Sequence, residues 1–410
     1  MSQKKAVTNN VTMLYIMNIT QLVLPLVTLP YLARVLTLGT YGVVSYTKNV
    51  MIYVNLLIEF GYLLSGTKEV VDARGDSDKL GRVIGRTTQA KLFISLISFI
   101  VLLGMILSIK MLRMHPIFTI LMAVPQFLSI FLFDYFFRGI EKMQIITIRF
   151  LIMRGIATVL TFFVVKNSQD MIYIPLLDIL GGSVAVIWVF YELRKMGIHI
   201  QWVPFREVIE SLKVSLTYFM SNIATTAFGA FNTIIVGMVL NAHQVAYWTM
   251  LMSLVVGVQG LYSPISDGIY PQMIKTRSLR LFRNILLIFT PVLIAGCLFT
   301  YFAAPIIVAI IGGHKYIPMY PLLKQAVPLL FVSFYSILCG WPLLGSINKI
   351  RETTMTTIVA ASSQVIGVLL LLVTHTFSLY SLVWLRILSE SIMLMMRLSV
   401  FVRNKDEYNV

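Results

Sequence analysis

Eleven ionisable side chains fall inside stretches otherwise apolar enough to cross a membrane. They are the cations Arg34, Lys48, Arg154, Lys324, Arg386 and Arg397 and the carboxylates Glu59, Asp134, Asp178, Asp267 and Glu390. Charge held within hydrocarbon is costly, so such groups face a cavity or a partner and mark the route of an ion or a charged cargo. Their depths follow from a helical rise of about 1.5 Å per residue. Arg154 lies about nine residues into its stretch and Arg386 about eight, which puts both well inside the bilayer; Lys48 is about seven residues from the outer end. Arg34 and Lys324 lie near outer ends, where long cationic side chains snorkel to the interface. Arg397 lies near an inner end and suits a cap. Arg386 and Glu390 stand i,i+4 and can pair on one helix face. Arg154 has no carboxylate within a turn of it. Asp134 and Asp267 suit caps or pairing with Arg138 or Lys275. Asp178, Glu390 and, nearer the inner face, Glu59 are the candidates for a proton or sodium site.

These residues are carried by a chain built for lipid. Of its 410 residues 58% are hydrophobic and only 12% charged, with a mean hydropathy of +0.85. Soluble domains carry about 25% charged residues, so this composition excludes a soluble globular protein. The two cysteines, Cys297 and Cys339, sit in apolar stretches, and the five histidines are scattered without metal-ligand spacing. No phosphate-binding glycine loop, GxSxG or HExxH is present, and no cofactor or metal site is expected. Lys4 and Lys5 precede an apolar run to about Leu36. That run is too long for a signal peptide and reads as a first span.

Windows of about 20 apolar residues predict twelve transmembrane helices over 11–34, 41–64, 91–110, 116–137, 145–165, 171–191, 214–238, 244–264, 284–311, 321–343, 354–374 and 378–402. If the N-terminus is inside, the inner segments hold 23 Lys and Arg and the outer ones only Lys110, Arg113, Lys166 and Lys315. That bias places both termini in the cytoplasm and calls for an even number of spans. The net charge of +16 therefore belongs to cytoplasmic loops, and no nucleic-acid partner is expected. The longest polar stretches, 65–90 and 192–213, are both inner. The first mixes charge with Val70, Val71, Leu80, Val83 and Ile84 and predicts an interfacial amphipathic helix. Prolines and glycines such as Pro25, Pro30, Pro264, Pro328 and Pro342 punctuate the spans and allow bending.

Twelve spans divide into six and six. At an offset of 204, Asn18-Ile19 meets Asn222-Ile223 and Val35-Leu36 meets Val239-Leu240. Both halves open with an Asn-bearing span, reach a short outer turn and return through an aromatic-rich span. Since six spans separate them, they are parallel repeats. The expected architecture is an all-α membrane protein: a first lobe over 1–205, a second over 206–410 and a cavity between pseudo-symmetric six-helix bundles.

Three blocks carry a family likeness. Pro30-Tyr31-Leu32-Ala33-Arg34-Val35-Leu36 followed by Gly39-Thr40-Tyr41-Gly42 resembles the opening signature of bacterial polysaccharide flippases. Phe133-Asp134-Tyr135-Phe136-Phe137-Arg138-Gly139 and the residues to Thr147 resemble their fourth-to-fifth span junction. Leu261-Tyr262-Ser263-Pro264-Ile265-Ser266 with Tyr270-Pro271 resembles their eighth span. The chain thus resembles the O-antigen and capsule repeat-unit flippases (Wzx type) of the multidrug/oligosaccharidyl-lipid/polysaccharide exporter superfamily. It departs from their pattern where the junction more often reads Trp-x-Phe-Gln-Gly: Tyr135 and Arg138 stand in the Trp and Gln places. An acidic residue is common where Thr40 stands.

The resemblance implies a transporter of the bacterial inner membrane, not an enzyme. Its cargo would be an undecaprenyl-pyrophosphate-linked oligosaccharide moved from the cytoplasmic to the outer leaflet. Expected partners are membrane lipids and the polymerase and chain-length proteins of the same pathway. Such a cargo needs a polar, cationic path. Arg154 and Arg386, one from each lobe, are expected to contact the pyrophosphate, with Lys48, Lys324 and Arg34 toward the outer end. One charge crossing 100 mV is worth about 2.3 kcal/mol, so an anion of about two charges moves outward downhill by roughly 4–5 kcal/mol; an ion gradient is then not required. The competing expectation is a drug or cation exporter of the same superfamily, whose interior should be acidic. A polymerase would need a large outer loop, and the outer loops here are short.

Overall fold

In the computed structural model the described residues, 3–408, are helical almost throughout and contain no strand. The side chains of 3–12, 14, 15, 18, 22, 26 and 221–230 lie outside that description, and with them the lysine pair Lys4 and Lys5 and the repeat residues Asn18, Asn222 and Ile223.

Twelve helical segments follow one another. They are α1 (Gln3–Val35), α2 (Leu38–Asp72), α3 (Ser77–Ser108), α4 (Pro116–Gly139), α5 (Met143–Val164) and α6 (Ser168–Lys195), then α7 (Phe205–Val239), α8 (Ala242–Thr276), α9 (Leu279–Gly312), α10 (His314–Ile347), α11 (Ile350–Val373) and α12 (Leu379–Arg403). Among the described residues nine of them combine the length and the apolar window needed to cross a membrane.

Several helices overrun the apolar windows, α2 to Asp72 and α3 from Ser77. The polar stretch 65–90 is not a separate surface helix. A turn at 73–76 divides it, so that its first part ends α2 and its second opens α3. Asp76 starts α3 by accepting from the Asp78 and Lys79 amides at 3.1 and 3.0 Å, a normal N-cap. The Lys79 amide holds the Asp76 carboxyl below its ordinary range. The other polar stretch includes an extended run over 198–204 against α3, where the Gln89 amide pairs with both backbone groups of Val203 at 3.0 Å.

The chain packs as two compact units, 1–246 and 247–410. In the first, α5 packs between α1 and α6, while α2 packs on α3, α4 and α7. An apolar cluster packs Phe133, Tyr135, Phe136 and Phe137 against Val70, Ile84, Val189 and Leu193. Two breaks interrupt helices of this unit. α2 bends at Phe60 and Gly61, both at positive φ (42° and 79°). A Cβ on Gly61 would lie 2.7 Å from the Phe219 amide nitrogen and 2.8 Å from the Ser215 carbonyl, so only glycine permits this bend so close to α7. α4 tightens into a 3₁₀ turn at Ser129–Leu132 and restarts after Phe133, at φ 49°.

In the second unit α10 breaks as well. The turn over Cys339–Leu343 is wide, and Gly340 leaves helical geometry at ψ −109°. Such a break frees backbone carbonyls. Arg397 fills the gap: its Nη1 donates to the Ser336 carbonyl at 2.6 Å, while Nε and Nη2 donate to the Thr356 and Thr357 hydroxyls at 3.1 and 3.0 Å. The expectation that Arg397 caps an inner helix end is therefore corrected. It is buried and seals a neighbouring helix from the side, because a guanidinium in an apolar interior must have its donors satisfied.

Candidate cargo-binding cavity

A cavity of about 830 Å³ opens within the first unit, walled by α1, α2, α4, α5 and α6. Four cations, Lys48, Arg138, Arg149 and Arg154, and three carboxylates, Glu59, Asp134 and Asp178, share its lining. Neutral polar groups fill in between them, among them Gln21 and Thr28 of α1, Asn55 of α2 and Gln126 of α4. Phe150 is the aromatic residue of that lining.

Five of the residues singled out from sequence are thus brought to one place: Lys48, Glu59, Asp134, Arg154 and Asp178. Arg154 is half exposed in the cavity, and its Nη1 lies 3.3 Å from Asp178 Oδ1 of α6. No carboxylate near in sequence could supply that partner. It comes from the next helix, because α5 and α6 pack along their length. Glu59 sits just before the α2 bend and faces Lys91 of α3, with 2.8 Å between Oε1 and Nζ. The Lys91 ammonium, 3% exposed, also stands 5.6 Å over the Tyr135 ring.

Asp134 does not pair with Arg138. It lies 2.6 Å from Nη2 of Arg149, whose Nη1 donates to the Leu132 carbonyl at 2.9 Å. The reason is the α4 break: Leu132 is left without a helical partner there, and Arg149 closes the gap while holding Asp134. By sequence Arg149 and Lys91 belong with the inner loops, yet both are 3% exposed within the helix packing. No sequence signal separates them from loop cations, since each lies at the edge of an apolar window.

The remaining candidates lie elsewhere. Arg34, exposed in the last turn of α1, is not among the residues lining this cavity. In the second unit Lys324 stands 5.0 and 5.3 Å over the rings of Tyr301 and Tyr320, an aromatic cradle that holds an ammonium by cation–π attraction. Arg386 and Glu390 approach to 3.9 Å on one face of α12, a long contact, with the glutamate side chain 9% exposed. Asp267 is exposed on α8. Among the described residues no group of three or more His, Cys, Asp or Glu is placed to hold a metal ion.

The family profile described as "Polysaccharide biosynthesis protein" matches residues 7–277, about two-thirds of the chain. The chain belongs to that family. Two curated relatives of this chain bear the name "Putative O-antigen transporter". The one from Shigella dysenteriae is 25% identical over 268 residues, 65% of this chain and 67% of its own length. The one from Escherichia coli (strain K12) is 25% identical over 294 residues, 70% of this chain and 69% of its own. Two solved structures share the fold at low identity. Lipid II flippase MurJ in an inward closed conformation aligns at a TM-score of 0.71 and 13% identity, over 95% of this chain and 87% of that one. An inward-facing multidrug resistance MATE family transporter of the MOP superfamily aligns at 0.67 and 12%, over 94% and 99%. The chain is accordingly an all-α, multi-pass membrane protein that shares the fold of these two structures.

Proposed function

We propose that the protein flips undecaprenyl-pyrophosphate-linked oligosaccharide repeat units from the cytoplasmic to the outer leaflet of the bacterial inner membrane, by alternating access of two six-helix lobes. The observation that carries this reading is the cavity of the first unit, where Arg154 and Lys48 share a lining of about 830 Å³ with neutral amides and hydroxyls. The chemistry matches the cargo. Guanidinium and ammonium groups receive the diphosphate, the amides of Gln21, Asn55 and Gln126 receive sugar hydroxyls, and the volume lies toward the upper end of small-molecule sites. The lipid tail stays in the bilayer. Arg386 would offer the corresponding charge in the second lobe. The family match and the relatives named as O-antigen transporters support the same reading.

A drug or cation exporter would also use this fold. It would need a predominantly acidic interior, whereas here four cations meet three carboxylates. Deleting the gene from its host should cause lipid-linked repeat units to accumulate in the cytoplasmic leaflet, with surface polysaccharide lost and restored by the gene on a plasmid. A deletion strain that keeps its surface polysaccharide and instead becomes sensitive to cationic drugs would reject the flippase reading.

A further inference from the structure

Of the four cations lining the cavity, two are already committed to carboxylates. Arg154 meets Asp178 at 3.3 Å, and Arg149 meets Asp134 at 2.6 Å. Arg138 is different. It lines the same cavity, yet it has no ion pair or hydrogen bond among the described residues, and its Nε is buried without a partner. Its nearest carboxylates in sequence are engaged elsewhere: Asp134 by Arg149, and Glu141 by Arg74, whose Nη1 lies 2.9 Å away while its Nε donates to the Gly139 carbonyl. A guanidinium carries five donors in a planar fork that matches the oxygens of a phosphate, and a partly buried one left unmatched has a standing need for an anion. The short helical stretch Asp134–Gly139 that carries it is pinned by Phe136 and Phe137, both fully buried, so its position is set by packing and not by a salt bridge.

The geometry points to Arg138 as an anion-binding residue at the inner end of the cavity, taking the diphosphate of a polyprenyl carrier before it reaches Arg154. This role rests on the proposed transport function and on the orientation given by the loop charges. Along α5 the committed cations stand five residues apart, about 7.5 Å at helical rise. Asp134 meets Arg149, and Arg138 follows Asp134 by four residues, about 6 Å at helical rise, so on the orientation given by the loop charges it lies nearer the cytoplasm than Arg154. The carboxylates leave the inner step as the place where an incoming oxyanion displaces no ion pair.

The test measures binding of undecaprenyl diphosphate to the purified full-length protein in nanodiscs, by change in tryptophan fluorescence. Undecaprenyl monophosphate and phosphatidylglycerol serve as comparison probes. R138Q, which keeps hydrogen-bonding capacity and removes the charge, is expected to weaken diphosphate binding about tenfold at low salt. R138K should fall between R138Q and the wild type, since it restores charge without the fork. R138C modified with a cationic aminoethyl thiol reagent should bind more tightly than the same variant carrying a neutral methyl group, a comparison made within one folded variant. Preference for the diphosphate over phosphatidylglycerol assigns the site to cargo, and equal loss of both with R138Q assigns it to bulk anionic lipid and overturns the proposal. Unchanged binding in R138Q, or no difference between the two thiol adducts, overturns it as well. If R154A alone loses binding, the transport reading stands without Arg138; if neither variant loses any, both fall.

Discussion

Replacing Arg154 with alanine should cut flipping of lipid-linked repeat units roughly a hundredfold, while the protein still folds and reaches the membrane. Arg154 is the cation of the cavity that combines depth with exposure. Its side chain is 48% accessible, against 3% for Arg149, so it can meet a cargo where Arg149 can only brace the wall. Loss of one charge-assisted contact to a diphosphate in a partly desolvated site amounts to about 3 kcal/mol, which corresponds to that loss of rate. The stability change should be under about 1 kcal/mol, because the pair with Asp178 is long and half exposed. R154K should recover part of the rate. Flipping is read in proteoliposomes as protection of a fluorescent lipid-linked oligosaccharide from an external quencher. A wild-type rate in R154A would remove Arg154 from the proposed path.

A large structural effect is expected at Gly42. A Cβ there would overlap the backbone carbonyl of Ala242, at the first turn of α8. A backbone atom cannot rotate aside as a side chain can. Alanine therefore has to push apart α2 and the start of α8, in a region where Tyr41, Val43 and Val44 are also buried. Overpacking of this kind costs about 3 kcal/mol. G42A should lower the thermal unfolding midpoint in detergent and the yield of folded protein, and G42V more so. Gly104, whose added Cβ would meet open space, is the matched control. An unchanged midpoint in G42A would show that the two helix starts separate without cost.

The Gly42 case shows what kind of information a sequence motif carries. Tyr41-Gly42 stands out as part of a family signature, yet nothing in its neighbours indicates that the residue works by admitting a carbonyl from a helix two hundred residues later. Counting spans succeeds because it depends on composition alone. Runs of apolar residues must be helical in lipid, where every backbone group needs an internal partner. The inner ends are less legible. Helices such as α2 and α3 continue beyond hydrocarbon as amphipathic turns, so hydropathy stops reporting before the helix does. The α10 break falls at Pro342, which the sequence marks, but those at Phe60 and Phe133 carry no proline signal. Phe133 and Phe60 adopt positive φ without being glycine or asparagine, and only the packing around them holds those conformations.

By itself the sequence determined the solvent in which this protein folds, the number of its helical segments, the asymmetry of its loop charges and the family signature, because each follows from residue type and order along one chain. Partnership among the charges was decided by tertiary structure. Arg154 meets Asp178 across 24 positions and Lys91 meets Glu59 across 32. Arg149 takes the carboxylate that sequence spacing offers to Arg138. Helical periodicity states which face a residue occupies, but not which helix lies opposite. In a low-dielectric interior the opposite helix decides whether a charge is neutralised, braces a wall or stays available to a cargo.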